Sequence, residues 1–175
     1  MKTIAFSLDA ASIDRAIREL HAWREEIKEK CVTLRKRIAE EIRWSAEEGF
    51  KTAVVEDMLF GDPPENDVQV TIRHDDTVSV IIASGTQAVF IEFGAGIYHN
   101  GPPGRSPHKW GEYNGFTIGS FGQHHGEKEQ WTYFVGEHTH DNKRATHGTP
   151  AAMPMYNGCE QAIRKLDELA REVFG

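Results

Sequence analysis

Long apolar runs are missing from this chain of 175 residues, and the opening Met1-Lys2-Thr3-Ile4-Ala5-Phe6 gives way to charge by Asp9. Neither a membrane span nor a signal peptide is therefore expected, and the chain reads as soluble and made in a cytoplasm. Cysteine is scarce. Cys31 and Cys159 are the only two, neither with a partner at metal-motif spacing, which argues against a disulfide-stapled scaffold and assigns both to packing within helices. Whether they meet as a disulfide is left open by sequence. A basic excess is also absent: 20 Lys and Arg against 27 Asp and Glu leave a net charge of -7, which counts against a phosphate-tracking nucleic-acid binder. The one basic cluster, Arg35-Lys36-Arg37, meets Glu40 and Glu41 a helical turn later and reads as a solvated mixed-charge face.

What is present suits one core. A hydrophobic content of 39% over this length fits a single domain spanning residues 1–175. Ile4, Phe6 and Leu8 alternate with smaller or polar residues, the period of a short half-buried strand over Thr3 to Leu8. From Ser12, read as an N-cap, no Gly or Pro occurs until Gly49. Ile13, Ile17, Leu20, Ile27, Cys31, Leu34, Ile38 and Ile42 recur at helical spacing along that stretch. Periodicity does not choose between one long helix and two helices that break near Trp23 to Lys30. Either way one stripe is apolar, and it must pack on a sheet or on another subunit.

Gly61-Asp62-Pro63-Pro64 marks a turn. Val68, Val70 and Ile72, then Val78, Val80 and Ile82, alternate on either side of Asp75-Asp76 and form a β-hairpin. Ala88-Val89-Phe90-Ile91-Glu92-Phe93-Gly94 follows as a short strand or a brief helix. Residues 97–149 are rich in Gly, His and aromatics and read as a long functional loop, with short strands at Phe116 to Phe121 and Trp131 to Val135. Pro150 to Pro154 opens a closing helix with Tyr156, Cys159, Ile163, Leu166, Leu169 or Ala170, and Val173 on its apolar stripe.

Histidine makes the strongest case for chemistry, because seven of the nine lie in this loop: His99, His108, His124, His125, His138, His140 and His147. His138 and His140 with Asp141, completed by His124 or His125, form a donor set that zinc accepts. No HExxH spacing occurs, so exposed polar residues in a Gly-rich loop are the favoured reading and no metal ligand is assigned. Glu92, in an apolar run, is either a desolvated acid–base carboxylate or one that caps or salt-bridges a neighbour, and the lack of a catalytic partner beside it in sequence favours the second. Gly94 and Gly96 lack the Lys-Ser/Thr of a phosphate loop. Trp23 and Trp44 fall in the helical region and are expected in a core or interface. Trp110, with Phe116, Phe121 and Tyr133, offers stacking faces, but Arg105, Lys109, Lys128, Lys143 and Arg144 are opposed by Glu112, Glu127, Glu129, Glu137 and Asp141.

Three stretches taken in order resemble one family. They are Ser12-Ile13-Asp14 leading a long amphipathic region ahead of the hairpin, the segment Ala88 to Gly94 after it, and His147-Gly148-Thr149-Pro150-Ala151-Ala152-Met153-Pro154-Met155-Tyr156 before the last helix. Together they are similar to the tail-completion or neck proteins that long-tailed bacteriophages place between head portal and tail tube. The loop at residues 97–149 is longer than in the smaller members. The resemblance implies an α+β fold, with a long N-terminal amphipathic helical region and a C-terminal helix packed on a small antiparallel β-sheet. It implies a structural protein of the virion with no catalysis, no cofactor and no membrane partner. Subunits would form a cyclic homo-oligomer, sixfold or a multiple, meeting head-closure or connector proteins on one side and tail terminator or tube proteins on the other. DNA would pass through the lumen without specific binding, and assembly would take place in the host cytoplasm. A rival from another class is a metal-dependent hydrolase using the His-rich loop; a third is a binding module whose aromatic loop holds a peptide or sugar.

Overall fold

The computed structural model describes residues 4–96, 108–111, 113–114, 130–136 and 140–175. The fold is α+β, with a long N-terminal helix, small antiparallel sheets and C-terminal helices. One helix, α1 (Ala10–Thr52), runs unbroken for 43 residues, about 65 Å at the rise of an α-helix. Nothing in Trp23 to Lys30 interrupts it, because no Gly, Pro or competing side-chain cap occurs there. Its N-cap is Asp9, not Ser12: the Asp9 carboxylate accepts the Ser12 N–H at 2.9 Å, while Ser12 turns its hydroxyl back to accept the Ser7 N–H at 2.9 Å. The expected N-terminal strand is not formed among the described residues. Residues 4–7 belong to no ladder.

Two antiparallel sheets follow. The hairpin pairs β2 (Gln69–His74) with β3 (Ser79–Ser84), Gln69 opposite Ser84 and His74 opposite Ser79. Asp75 builds its turn by accepting the N–H groups of Thr77 at 2.7 Å and Val78 at 2.5 Å. Val70 and Ile72 on β2, with Ile81 and Ala83 on β3, are the partly covered residues of one face, and the hairpin packs against α1. The second sheet is centred on β6 (Lys143–Thr149), which pairs with β1 (Asp57–Phe60), β4 (Ala95–Gly96) and β5 (Trp131–Phe134). Loop was expected at residues 143–149. Lys-Arg-Ala-Thr-His-Gly-Thr has almost no apolar side chain to announce a strand, and its ladder is patched by hydroxyls. Thr146 Oγ1 donates to the Asp57 carbonyl at 2.9 Å, and Thr149 Oγ1 donates to the Val55 carbonyl at 2.7 Å.

Between the sheets, Ala88 to Phe93 resolves as a short helix, α2 (Ala88–Phe93). The closing helical region divides into α3 (Pro154–Arg164) and α4 (Leu166–Phe174), with Lys165 between them. The expected apolar stripe is not what α3 buries. Its buried residues are Pro154, Gly158 and Ala162, whereas Ile163 is 66% exposed. Close approach explains the difference: a Cβ on Gly158 would lie 3.0 Å from the Ile42 carbonyl oxygen of α1, and one on Gly49 would lie 2.9 Å from Pro154 Cβ. Ala46 lies beside Gly158 in this seam, and Ala39, Ala46 and Phe50 are the buried residues of the C-terminal half of α1. Polar links frame it, with Ser45 Oγ donating to Gln161 Oε1 at 2.9 Å and Lys165 Nζ reaching Glu41 at 2.6 Å. Arg37 of the basic cluster pairs with Glu172 of α4. That face is therefore partly a helix–helix bridge.

Candidate assembly surface and the Glu92 junction

Glu92 is the best-defined polar centre. It is 7% exposed and sits on α2, where its carboxylate receives three N–H donors from two other segments. Oε2 accepts the Met155 N–H at 2.8 Å, and Oε1 accepts the Tyr156 N–H at 3.0 Å. These are orphan donors of the first turn of α3. The residue in the N-cap position of that helix is Met153, in a left-handed conformation with φ of 55°, and it supplies no side-chain oxygen. Glu92 therefore caps α3 from another element, with its charge set at the positive end of the helix dipole. The Ala152 N–H donates to the Ile91 carbonyl at 2.9 Å and completes the junction.

His108 provides the third donor. Its Nδ1 accepts the Trp110 N–H at 3.0 Å, so the proton resides on Nε2, which lies 3.1 Å from Glu92 Oε1. The ring is 6% exposed and packs against Phe93 at 4.6 Å and Tyr156 at 5.1 Å between centroids. Every hydrogen bond to Glu92 comes from a donor, which is the pattern of a structural carboxylate clamp. Its signal in sequence was Pro154 at N1 behind a Met: a helix start with no local cap needs an acceptor from elsewhere.

The other candidates disperse. His147 Nδ1 lies 3.2 Å from Asp57 Oδ2 across the β1–β6 pair. His99, His124, His125 and His138 fall outside the described residues, as do Phe116, Phe121, Arg105, Glu112, Lys128, Glu127, Glu129 and Glu137. His140 and Asp141 lie in a single 3-10 turn. Among the described residues, no group of three or more His, Cys, Asp or Glu side chains is placed to hold a metal. Gly94, with φ of 82°, ends α2 by donating its N–H to the Phe90 carbonyl at 2.7 Å, and Gly96 pairs with Gly148, so this stretch is a helix stop leading into a ladder. Trp110 meets Tyr113 edge-on with centroids 6.2 Å apart, while Tyr133 is engaged elsewhere, donating its hydroxyl to Glu56 at 2.8 Å. Desolvation and that carboxylate push the Tyr133 phenol up to about 12. Cys31 and Cys159 are both exposed free thiols, which corrects their assignment to packing.

The apolar stripe of α1 has two fates. Its C-terminal half packs on the hairpin, α3 and α4. The N-terminal half leaves Ile13, Ile17, Leu20 and Trp23 exposed, Leu20 at 50% of its surface, and Phe6 and Leu8 beside it are more exposed still. A second apolar patch, with Trp44, Ile163 and Leu166 exposed, lies where α1 meets the C-terminal helices. Among the described residues, these two groups of exposed apolar side chains lie on helices. Among the described residues, no helix is long and apolar enough to cross a membrane. Comparison with protein-family models, with curated proteins and with solved structures finds no match to this chain.

Proposed function

We propose that the chain is a structural protein of a phage head–tail connector, of the neck or tail-completion kind, whose subunits assemble into a ring that joins tail to head. The observation that carries this reading is the exposed stripe Ile13, Ile17, Leu20 and Trp23 on the N-terminal half of α1. A row of large apolar residues at helical spacing, left exposed in the single chain, suits an interface in an oligomer. A ring also suits the geometry, because this stripe and the patch at Trp44, Ile163 and Leu166 lie on different parts of the chain. Contacts between unlike patches are heterologous, and they close without leftover surfaces only in a cyclic assembly.

The Glu92 clamp supports the same reading from another side. It is a fully engaged carboxylate that fixes α2, α3 and the segment around His108 relative to one another, giving a rigid body on which contacts can be repeated. Head-closure and tail-tube proteins are the partners this reading assigns to the two faces of the ring, with DNA in the lumen. Negative-stain images of the purified chain test it. Annular particles of uniform diameter are expected; dispersed monomers that stay monomeric with head-closure and tail-tube proteins present would overturn it.

A further inference from the structure

The groove between α1 and β3 is lined by Cys31, Leu34, Arg35, Ile38, Ile42 and Ile81, almost wholly apolar, with a volume of about 290 Å³. We propose that it is the seat for the N-terminal arm of a second copy of this chain, which enters with Phe6 and Leu8. Three observations select that occupant. Phe6 and Leu8 are the apolar side chains of the arm left uncovered, 60% and 93% exposed. The arm cannot serve its own groove: about 33 Å of helix separates Asp9 from Cys31, and Phe6 reaches only about 10 Å from Asp9 even when extended.

The groove also carries a charge that the arm complements. Arg35 is its one charged residue; its Nη2 donates to the Asp75 carbonyl at 2.7 Å, while its buried Nε has no hydrogen-bond acceptor among the described residues. Asp9, whose carboxyl pKa is lowered from its ordinary value by the Ser7 hydroxyl and then the Ser12 N–H, brings an opposite charge alongside. The contact joins unlike surfaces of successive copies, so it rests on the ring reading above and gives that ring one of its joints.

A disulfide trap tests this directly. Phe6→Cys in a Cys159→Ser background leaves position 6 and the native Cys31 as the only thiols, too far apart in one chain to bond. Mild oxidation of the full-length protein should give a ladder of covalent oligomers on a non-reducing gel, lost when Cys31→Ser is added. Leu8→Asp in the native chain should weaken association by about tenfold or more, from loss of one buried apolar side chain. Protein that light scattering shows to be oligomeric but that gives no Cys31-dependent ladder would overturn the arm contact and leave the ring standing. A reduced protein that is monomeric throughout would remove both.

Discussion

Replacing Glu92 with Gln should loosen the junction of α2 and α3 while leaving its shape intact. The amide oxygen, placed at Oε1, still accepts the Tyr156 N–H and the His108 Nε2–H, but both bonds lose their charge assistance, about 1 kcal/mol each. The NH2 group replaces Oε2 and faces the Met155 N–H donor to donor, leaving a buried donor unsatisfied, about 1–3 kcal/mol. Loss of the negative charge at the start of α3 removes a further ~0.3–1 kcal/mol. Against this, the neutral side chain no longer carries the desolvation cost of a buried carboxylate. The expected net is about 2–4 kcal/mol. For a chain of this size that lowers Tm by roughly 4–16 °C, read by far-UV circular dichroism at pH 7. Amide exchange at Met155 and Tyr156 should accelerate more than at Ala39 or Ala46 in α1. A Tm within a degree of the wild type, with those two amides still protected, would refute the clamp.

The α1–α3 seam makes a second case. Gly158→Val drives a branched side chain onto the Ile42 carbonyl, where even a Cβ would lie at 3.0 Å, so a loss of at least about 1–3 kcal/mol is expected in urea unfolding. Equal stability would show that the helices do not approach as closely as described. For Tyr133, burial and Glu56 raise the phenol to about 12 from its ordinary value of 10.0. Because the folded value is the higher one, the stability linked to it is complete below pH 10 and is lost as pH rises through the folded value of about 12. Absorbance at 295 nm should show one phenol titrating late, and Tyr133→Phe should remove that step and flatten the alkaline loss of stability. A titration unchanged by the substitution would reject the Glu56 contact.

Much of the fold was legible where side-chain period and packing agree. The hairpin forms as expected, but only β2 keeps the expected face: Val70 and Ile72 are partly covered, whereas on β3 their covered partners are Ala83 and Ile81, and Val78 and Val80 are each 48% exposed. The region after Ser12 is helical because nothing in it competes with the helix. The rest was hidden for physical reasons. Strand β6 is polar and held by Thr146 and Thr149 hydroxyls, so no apolar period marks it. The α1–α3 seam selects Gly49, Ala46, Gly158 and Ala162, which a search for large apolar residues passes over, and it turns Ile163 outward. Glu92 stood out in sequence, but its partners Met155, Tyr156 and His108 come from segments whose meeting no local pattern encodes. The apolar stripe of α1 was visible as a stripe. That Ile13, Ile17, Leu20 and Trp23 stay exposed in the single chain is a property of the fold.

Light scattering of the purified chain across a dilution series, beside a Leu20→Asp variant, tests the central claim most directly. Ring assembly predicts a mass that is a multiple of 19.7 kDa, about 118 kDa for six copies, falling to the monomer mass in the variant without loss of helical signal. A wild-type mass of 19.7 kDa at every concentration, indistinguishable from Leu20→Asp, would contradict the account.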